Sequence, residues 1–377
     1  MDFALTKDQK MYQKAAREFL VKECSMETVR DILQEEKGYS PVIWKKISEL
    51  EWLSILIDEK YDGLGGSFLD LCPILEEIGR AVFPSPFFAT VIMGGNILSE
   101  EADEETKSKL LPSIANGNTI VTIAIEETEE EWSKDAIRCK AQKQGDNYVI
   151  EGTKLFVPFA AASDYIICCA RPDDLNANGI SLFLIDANDD RIDFTPIPSF
   201  STEKYYQVNF KRVKVSQKSI IGTPGQGWEA IERLQPIMTA ARCIEMVGGM
   251  QKVLEMTVAF VKERKQFGVP IGSQQAIQHY CAEIAIDVET SKFMAYQAAW
   301  KISNKQPCRA EVSMAKAWCG DAYQRVTALA LQAHGATGFT EEYDLHLFYK
   351  QAKSLQLMSG GSSYHRKVVA QEMGLPI

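Results

Sequence analysis

Glu245 is an acidic residue whose surroundings suit acid–base chemistry. It stands between the apolar residues Ile244 and Met246, and Arg242 lies one helical turn before it. A carboxylate in an apolar environment has a raised pKa and can act as a general base. The same spacing also favours a structural ion pair between Glu245 and Arg242. The sequence leaves both interpretations open.

Metal and thiol chemistry is not predicted from the histidine and cysteine positions. The four histidines show no metal-ligand spacing, and the nine cysteines are scattered without a Cys-x-x-Cys pair. Such cysteines are typical of free thiols in a reducing compartment, so we expect a cytoplasmic protein without a structural metal. The glycine-rich segment 62–67 is interpreted as a loop, because it lacks the Lys-Ser or Lys-Thr ending of a phosphate-binding turn.

Composition places the chain among ordinary globular proteins. Of its 377 residues, 46% are apolar and 24% are charged. Lys and Arg number 41 against 51 Asp and Glu, and the net charge of −10 argues against a nucleic-acid-binding protein, which needs clustered positive charge. No apolar run has the ~18–20 residues of a membrane helix. The N-terminal residues lack the basic and apolar regions of a signal peptide, so none is expected.

The sequence divides into three zones that differ in their pattern of apolar and polar residues. Together the zones predict an α+β fold. Residues 1–117 predict a helical N-terminal domain. Residues 118–225 predict a middle domain of short β-rich runs, typical of an antiparallel barrel or sandwich. Residues 226–377 predict a C-terminal four-helix bundle. The predicted strands are 119–125, 148–151, 165–170, 180–185 and 206–210, and the predicted bundle helices are 228–265, 273–303, 309–335 and 343–358.

Four short motifs in this α–β–α order resemble the acyl-CoA dehydrogenase family of flavoproteins. Residues 263–268 read Glu-Arg-Lys-Gln-Phe-Gly, and residues 332–340 read Gln-Ala-His-Gly-Ala-Thr-Gly-Phe-Thr. Residues 225–228 read Gly-Gln-Gly-Trp before the first bundle helix, and residues 146–154 have the hairpin pattern of the family's middle domain. The resemblance covers the whole chain and implies the same three-domain fold, usually assembled as a tetramer.

The resemblance implies α,β-dehydrogenation of an acyl-CoA thioester. In this family a carboxylate removes the α-proton, and FAD accepts the β-hydride and passes electrons to an electron-transfer flavoprotein. Hydrogen bonds to the thioester carbonyl lower the pKa of the α-proton, because they stabilise the developing enolate. The implied partners are an acyl-CoA substrate, an electron-transfer flavoprotein and the other subunits of a homotetramer or heterotetramer. The depth of the acyl pocket depends on the first bundle helices and on residues 87–98.

By the same resemblance, Arg264 binds the FAD pyrophosphate of a neighbouring subunit, with Gln266 and Phe267 beside it. A guanidinium suits a diphosphate because it donates two parallel hydrogen bonds. A surface arginine in an ion pair at the end of a helix is the alternative.

Glycine in the family's adenosine-binding turn permits close backbone approach, or simply caps a helix. That turn corresponds here to Gln332, Gly335 and Gly338.

The middle domain departs from the family pattern beside the flavin. Phe156 can flank the flavin ring and Val157 can offer a backbone N–H, but Pro158 has none. The family's glycine-containing flavin loop is replaced at 126–132 by Glu-Glu-Thr-Glu-Glu-Glu-Trp. Anionic side chains next to a diphosphate repel it unless they point away. A solvated acidic loop is the alternative interpretation.

Neither position that holds the catalytic base in this family is acidic here. Ser359 aligns with the glutamate of the commonest members, and Met238 with the glutamate that a second group places in the first bundle helix. A serine hydroxyl does not act as a base at neutral pH without an activating base of its own. Glu245 lies two helical turns beyond Met238 on the same face, roughly 10 Å away, and is the candidate base that remains.

The sequence thus supports two main hypotheses. The chain is either an FAD-dependent acyl-CoA dehydrogenase, alone or as one subunit, or a non-catalytic partner that completes the FAD site of a catalytic relative. It resembles the small chains of two-chain acyl-CoA dehydrogenases at residues 79–87, 156–158 and 364–366. A flavin oxidase or monooxygenase on the same scaffold is a third hypothesis.

Overall fold

Six α-helices form the N-terminal part of the computed structural model, which describes residues 5–127, 133–174 and 179–376. The Thr6 side chain and the Gln9 side chain cap the start of the first helix reciprocally. A π-helical stretch, Phe88–Gly95, leads directly into the fifth helix. The helices are α1 (Lys7–Glu23), α2 (Met26–Gln34), α3 (Pro41–Glu49), α4 (Phe68–Ala81), α5 (Asn96–Glu101) and α6 (Glu104–Ala115).

A mixed sheet of eight strands follows in the described part of the chain, in the order β6-β7-β3-β2-β4-β5-β8 with β1 beside β4. The strands are β1 (Val121–Ala124), β2 (Lys140–Gln144), β3 (Asn147–Pro158), β4 (Tyr165–Pro172), β5 (Ser181–Asp186), β6 (Ile192–Ile197), β7 (Tyr205–Ser216) and β8 (Ile220–Ile221). The predicted antiparallel arrangement is wrong at two pairings, because β1 and β2 both run parallel to β4. A parallel pair needs a long crossover, and here β2 and β3 lie within the connection from β1 to β4.

Three of these strands were not predicted from the sequence. The strand β2 reads Lys-Ala-Gln-Lys-Gln and buries only its alanine, so it has almost no apolar signal. The strand β6 contains Pro196 and lies at the edge of the sheet, where a missing N–H is tolerated. The strand β8 has only two residues. Pairing with longer strands, rather than local composition, forms all three.

The C-terminal part is helical, as predicted. Its elements are α7 (Gly227–Glu263), a small hairpin of β9 (Lys265–Gln266) and β10 (Val269–Pro270), α8 (Gln275–Ser303), α9 (Arg309–His334), α10 (Leu345–Leu357) and α11 (Ser362–Glu372). The sequence predicted the four long helices and missed α11. Its buried residues are only Ser362, His365 and Val368, and only the valine is apolar, so the helix has little apolar signal.

One hydrophobic core joins the N-terminal and C-terminal helices, and a second core fills the sheet. The boundaries after residues 117 and 225 stay predictions. They fall between α6, which ends at Ala115, and β1, and between β8 and α7, which begins at Gly227. The shared helical core places α7 against α4, so elements distant in sequence jointly build the region near the candidate site.

The crossing of α4 and α7 depends on two glycines. A Cβ atom on Gly248 would lie 1.7 Å from the carbonyl oxygen of Glu76, and one on Gly79 would lie 2.0 Å from the carbonyl oxygen of Glu245. These neighbours are backbone atoms, so the two helices would have to move apart to admit a methyl group.

A Gly248→Ala variant is therefore expected to lower the free energy of unfolding by about 2 kcal/mol, because overpacking exceeds the gain in helix propensity. Urea denaturation measures this change. Gly361→Ala is the control, since a Cβ atom at that position would have no neighbour within 4 Å and the φ of Gly361 is −75°. Its expected cost is below about 1 kcal/mol, and equal losses in the two variants would contradict the crossing argument.

Candidate functional site

A cavity of about 580 Å³ lies where the end of β1, the start of α7 and the turn between α10 and α11 meet. Its size is that of a small-molecule or cofactor site. Ser359 stands in its wall, and Trp228 and Tyr364 supply aromatic surface. The other lining residues are Ile125, Glu126, Glu127, Ser133, Ala136, Ile137, Gln235, Arg309, Leu357, Gly360, Gly361, Lys367, Val368 and Gln371.

Two buried side chains hold the turn that carries Ser359. Lys316 Nζ donates to the carbonyl oxygens of Gln356 and Gly360, each at 2.9 Å. His365 Nε2 donates to the carbonyl oxygen of Ser359 at 2.8 Å. Ser359 has a φ of 54°, a left-handed conformation that is unusual for serine and that these contacts maintain. Burial lowers the pKa of Lys316 to about 8.

The same contacts define the state of His365. A carbonyl oxygen only accepts, so the Nε2 atom carries the proton and Nδ1 accepts from the Ser313 hydroxyl, 3.2 Å away. Burial lowers the pKa of His365 to about 4, so the ring is neutral at physiological pH. The turn is thus held by a neutral imidazole and an ammonium group, without a carboxylate among these contacts.

We expect the stability of the fold to fall as the pH drops from about 6.5 towards 4. The folded state binds a proton at His365 more weakly than the unfolded state, so stability is complete above pH ~6.5 and decreases below it. At pH 5 this group is expected to cost about 2 kcal/mol. Thermal unfolding of His365→Gln between pH 7 and 5 should show a smaller loss than the wild type, whereas His279→Gln, on an exposed position, should match the wild type. Identical profiles for the wild type and His365→Gln would contradict this assignment.

Glu245 lies in a buried ion pair. Its carboxylate accepts from Arg242 Nη1 at 2.8 Å, and it does not line the large cavity. Burial raises the pKa of Glu245 to about 7 against the opposing effect of Arg242, and the nearby carboxylate of Glu203 adds to the rise. Met238, one turn before Arg242, is buried as well. The geometry favours the structural ion pair, and the role of Glu245 as a base stays a prediction.

The first acidic residues of the segment 126–132 point in different directions. The carboxylate of Glu127 accepts from the backbone N–H groups of Arg138 and Cys139, at 2.8 and 3.0 Å. It also pairs with Lys154 Nζ at 2.6 Å, and this lysine is fully buried. Glu127 is thus held by an ion pair with Lys154, while Glu126 lines the cavity, where burial raises the pKa of its carboxylate. The remaining residues of the predicted acidic loop, 128–132, lie outside the described residues.

Phe156 and Val157 lie on β3 at an irregularity in its pairing with β7. Phe156 has a φ of 52° and is 50% exposed, so its ring is available to a ligand. Val157 is buried and pairs with Tyr206 on β7. The carbonyl oxygen of Pro158 accepts from the Thr122 hydroxyl at 2.7 Å, which ties this part of β3 to β1.

The other predicted cofactor residues come together at the far end of the bundle. Phe260 near the end of α7 stacks on His334 at the end of α9, with 4.2 Å between ring centroids. Arg264 follows α7 directly and is exposed, and it forms no ion pair with any described residue. Phe267 is 93% exposed. Gln266, Gln332 and Gly335 are exposed at this end, and Gly338 is buried against His334.

This second group lies far from the cavity within one chain. Gln235 lines the cavity, and Arg264 follows it by most of the length of α7. At a rise of 1.5 Å per residue the two are roughly 40 Å apart. A single dinucleotide does not span both groups in one subunit, so they can meet the same cofactor only across a subunit interface.

Sequence reasoning missed the residues that support the site. His365 belongs to a segment that the sequence singled out only as a family pattern, and Lys316 was not considered. The sequence feature that indicates Lys316 is a single lysine among small and apolar residues in the predicted bundle helix 309–335. In the part of the chain that the structure describes, no set of three or more His, Cys, Asp or Glu side chains could hold a metal ion. No helix among the described residues is long and apolar enough to cross a membrane.

Three models of known protein families match successive parts of the chain. They are described as the acyl-CoA dehydrogenase N-terminal domain (residues 6–118), middle domain (residues 124–213) and C-terminal domain (residues 225–374). Among curated proteins, a probable acyl-CoA dehydrogenase, YngJ, from Bacillus subtilis is 27% identical and is aligned over 99% of this chain and 100% of its own length.

Solved structures have the same fold along the whole chain. Butyryl-CoA dehydrogenase from Megasphaera elsdenii superposes with a TM-score of 0.91 at 24% identity, covering 99% of this chain and 100% of its own. The ChsE4–ChsE5 complex from Mycobacterium tuberculosis superposes with a TM-score of 0.90 at 23% identity, covering 100% of both chains. At these identities the likeness shows the fold.

Proposed function

We propose that this chain, which belongs to the acyl-CoA dehydrogenase family, is one subunit of a two-chain enzyme that oxidises the Cα–Cβ bond of an acyl-CoA thioester. The family consists of FAD-dependent oxidoreductases. FAD supplies the hydride acceptor when bound, and an electron-transfer flavoprotein is the proposed electron acceptor. The other chain of the proposed heterotetramer carries the catalytic carboxylate.

The observation that carries this proposal is Ser359 in the wall of the cavity. It occupies the aligned position of the family's base, and its hydroxyl has no imidazole or carboxylate among the hydrogen bonds of the described residues. The neighbouring His365 is bound to the carbonyl oxygen of Ser359 rather than to its hydroxyl. Removal of an α-proton needs a group with a pKa near the operating pH, which an unactivated hydroxyl does not have.

The residues of the far bundle end fit the pyrophosphate side of FAD in a neighbouring subunit. Arg264 is an exposed guanidinium without a described ion-pair partner, so both edges of its fork are available to a diphosphate. Phe267 exposes almost its whole side chain, so its ring is available to a ligand or to another subunit. We propose that Arg264, Gln266, Phe267, Gln332, Gly335 and Gly338 complete the partner's FAD site.

The cavity fits the ring side of a flavin less fully. Trp228 and Tyr364 offer aromatic surface, and Phe156 on β3 is available beside β1. Burial raises the pKa of the Glu126 carboxylate at the cavity, and this carboxylate disfavours a diphosphate there when it is ionised. The residues at the far bundle end therefore fit FAD better than the cavity does, which supports a subunit that contributes mainly to its partner's cofactor site.

Co-expression with a glutamate-bearing relative tests the proposal. The chain should co-purify with a relative that has glutamate at the position of Ser359, and the complex should reduce an electron-transfer flavoprotein with an acyl-CoA ester. This chain alone should be at least about a hundredfold slower than the complex, because loss of one group in a catalytic set typically costs two to four orders of magnitude. Full activity of this chain alone would contradict the two-chain proposal.

A second candidate function is that of an autonomous dehydrogenase with Glu245 as its base. The raised pKa of Glu245, about 7, favours it, since a base near neutrality is suited to proton abstraction. A Glu245→Gln variant distinguishes the two. It should abolish flavin reduction by acyl-CoA if Glu245 is the base, and it should leave the activity of the two-chain complex within about threefold if Glu245 is structural.

A further inference from the structure

Three charged side chains lie buried between α4 and α7, close to the turn between α10 and α11. Arg242 donates from Nη1 to Glu245 at 2.8 Å and from Nη2 to Glu203 at 2.6 Å. The Tyr205 hydroxyl donates to Glu203 and lies 3.2 Å from Met358 Sδ, next to the cavity wall. Glu203, Arg242 and Glu245 are called the charge cluster below.

The surroundings of the charge cluster are largely apolar. The Arg242 guanidinium carbon lies 3.3 Å from the centroid of the Phe88 ring. The other apolar residues around the cluster are Ile78, Val82, Phe83 and Phe87. Walls of this kind are typical of a pocket for a hydrocarbon chain. By the sequence resemblance, the depth of the acyl pocket depends on the first bundle helices and on residues 87–98. Two of these elements, α7 and the segment that begins at Phe87, meet here.

Almost no free volume is left between these walls. The space beside the cluster amounts to about 20 Å³, enough for one water molecule and too small for an acyl chain. Arg242 Nε is buried without a hydrogen-bond partner among the described residues, so one water there would satisfy it. The arginine side chain itself fills the region.

The charge cluster is not arranged as a ligand-binding site. Both terminal nitrogens of Arg242 are already bound to carboxylates, so the guanidinium offers no free pair of N–H donors to a ligand beside the cluster. Two carboxylates around one guanidinium also repel an anionic ligand. Stability alone does not account for the cluster, because well-packed apolar residues of similar volume are often at least as stabilising as buried ion pairs.

We propose that the charge cluster seals the apolar space between α4 and α7, so that no acyl chain enters the helical core of this subunit. The inference rests on the proposed function, because it assigns the acyl chain of the substrate to the partner subunit that carries the base. The lining of the large cavity at Ser359 contains no residue of the charge cluster.

Xenon binding to crystals of the full-length chain tests the seal directly. Apolar cavities created in protein cores stay dry and bind xenon. An opened variant, Glu203→Gln with Arg242→Ala and Glu245→Ala, removes the charges and creates space. A filled variant, Glu203→Gln with Arg242→Met and Glu245→Leu, removes the charges and keeps the volume. Xenon density between α4 and α7 is expected only in the opened variant.

Each result decides the proposal. Xenon at this position in the wild type or in the filled variant, or its absence from the opened variant, would overturn it. If the opened variant does not fold, the wild-type and filled crystals decide, because a site in either one contradicts a sealed space. Turnover of acyl-CoA by the two-chain complex is a separate readout. A complex without turnover, together with the expected xenon pattern, would refute the proposed function and leave the seal intact.

Discussion

An Arg242→Ala variant is expected to unfold with a free energy about 3–5 kcal/mol lower than that of the wild-type chain. The substitution leaves Glu203 and Glu245 buried without the cation that both of them bind. Breaking a buried ion pair by removing one partner has this cost, since the remaining charge is uncompensated. Urea denaturation at pH 7.5, followed by far-ultraviolet circular dichroism, measures the difference.

Arg233→Ala is the matched control on the same helix. Arg233 pairs with Glu101, but its side chain is 61% exposed, so the pair is solvated and its loss should cost less than about 1 kcal/mol. Glu203→Gln combined with Arg242→Met and Glu245→Leu should recover most of the stability that Arg242→Ala loses. A cost at Arg242 no larger than that at Arg233 would contradict the account of the charge cluster.

An Arg264→Ala variant of the two-chain enzyme is expected to bind FAD about a hundredfold more weakly. A bidentate arginine–diphosphate contact consists of two charge-assisted hydrogen bonds, and its loss at about 1.5 kcal/mol or more each gives a change of this size. Arg264→Lys should show an intermediate loss, because it keeps the charge but not the fork. Ultrafiltration of the purified complex, followed by absorbance of the released flavin, measures the retained cofactor.

Two observations separate this effect from misfolding. Arg264 is exposed and has no ion pair with any described residue, so the urea midpoint of Arg264→Ala should equal that of the wild type. Lys265→Ala, at the adjacent exposed position, should retain FAD. Unchanged FAD affinity in Arg264→Ala would show that the far bundle end does not hold the cofactor.

The helical parts of the fold followed from the sequence because their signals are local. The helices α7 to α9 are long, and the predicted ends of α7 to α10 lie within a few residues of the observed ones. The helix α11 was missed because it buries only three side chains. In the sheet, the parallel pairing of β1 with β4 depends on segments about forty residues apart, and no local pattern specifies it.

The site was only partly predictable for a similar reason. Residue spacing indicated that Arg242 and Glu245 could pair, since both lie on one helix face. It did not indicate Glu203, which lies two residues before β7, binds the same guanidinium and changes an ion pair into a cluster of three charges. Likewise, Lys154 and Glu127 meet through the fold of the sheet, and the acidic segment alone suggested only repulsion.

An anaerobic absorbance spectrum of this chain purified alone, supplied with FAD and then with a panel of acyl-CoA esters, tests the central claim most directly. The account predicts that no ester bleaches the flavin band of the chain alone, because Ser359 stands where the carboxylate base is needed. The same esters should bleach the flavin once a glutamate-bearing partner chain is added. Bleaching by this chain alone would contradict the account, and it would identify the chain as a complete dehydrogenase with a base of its own.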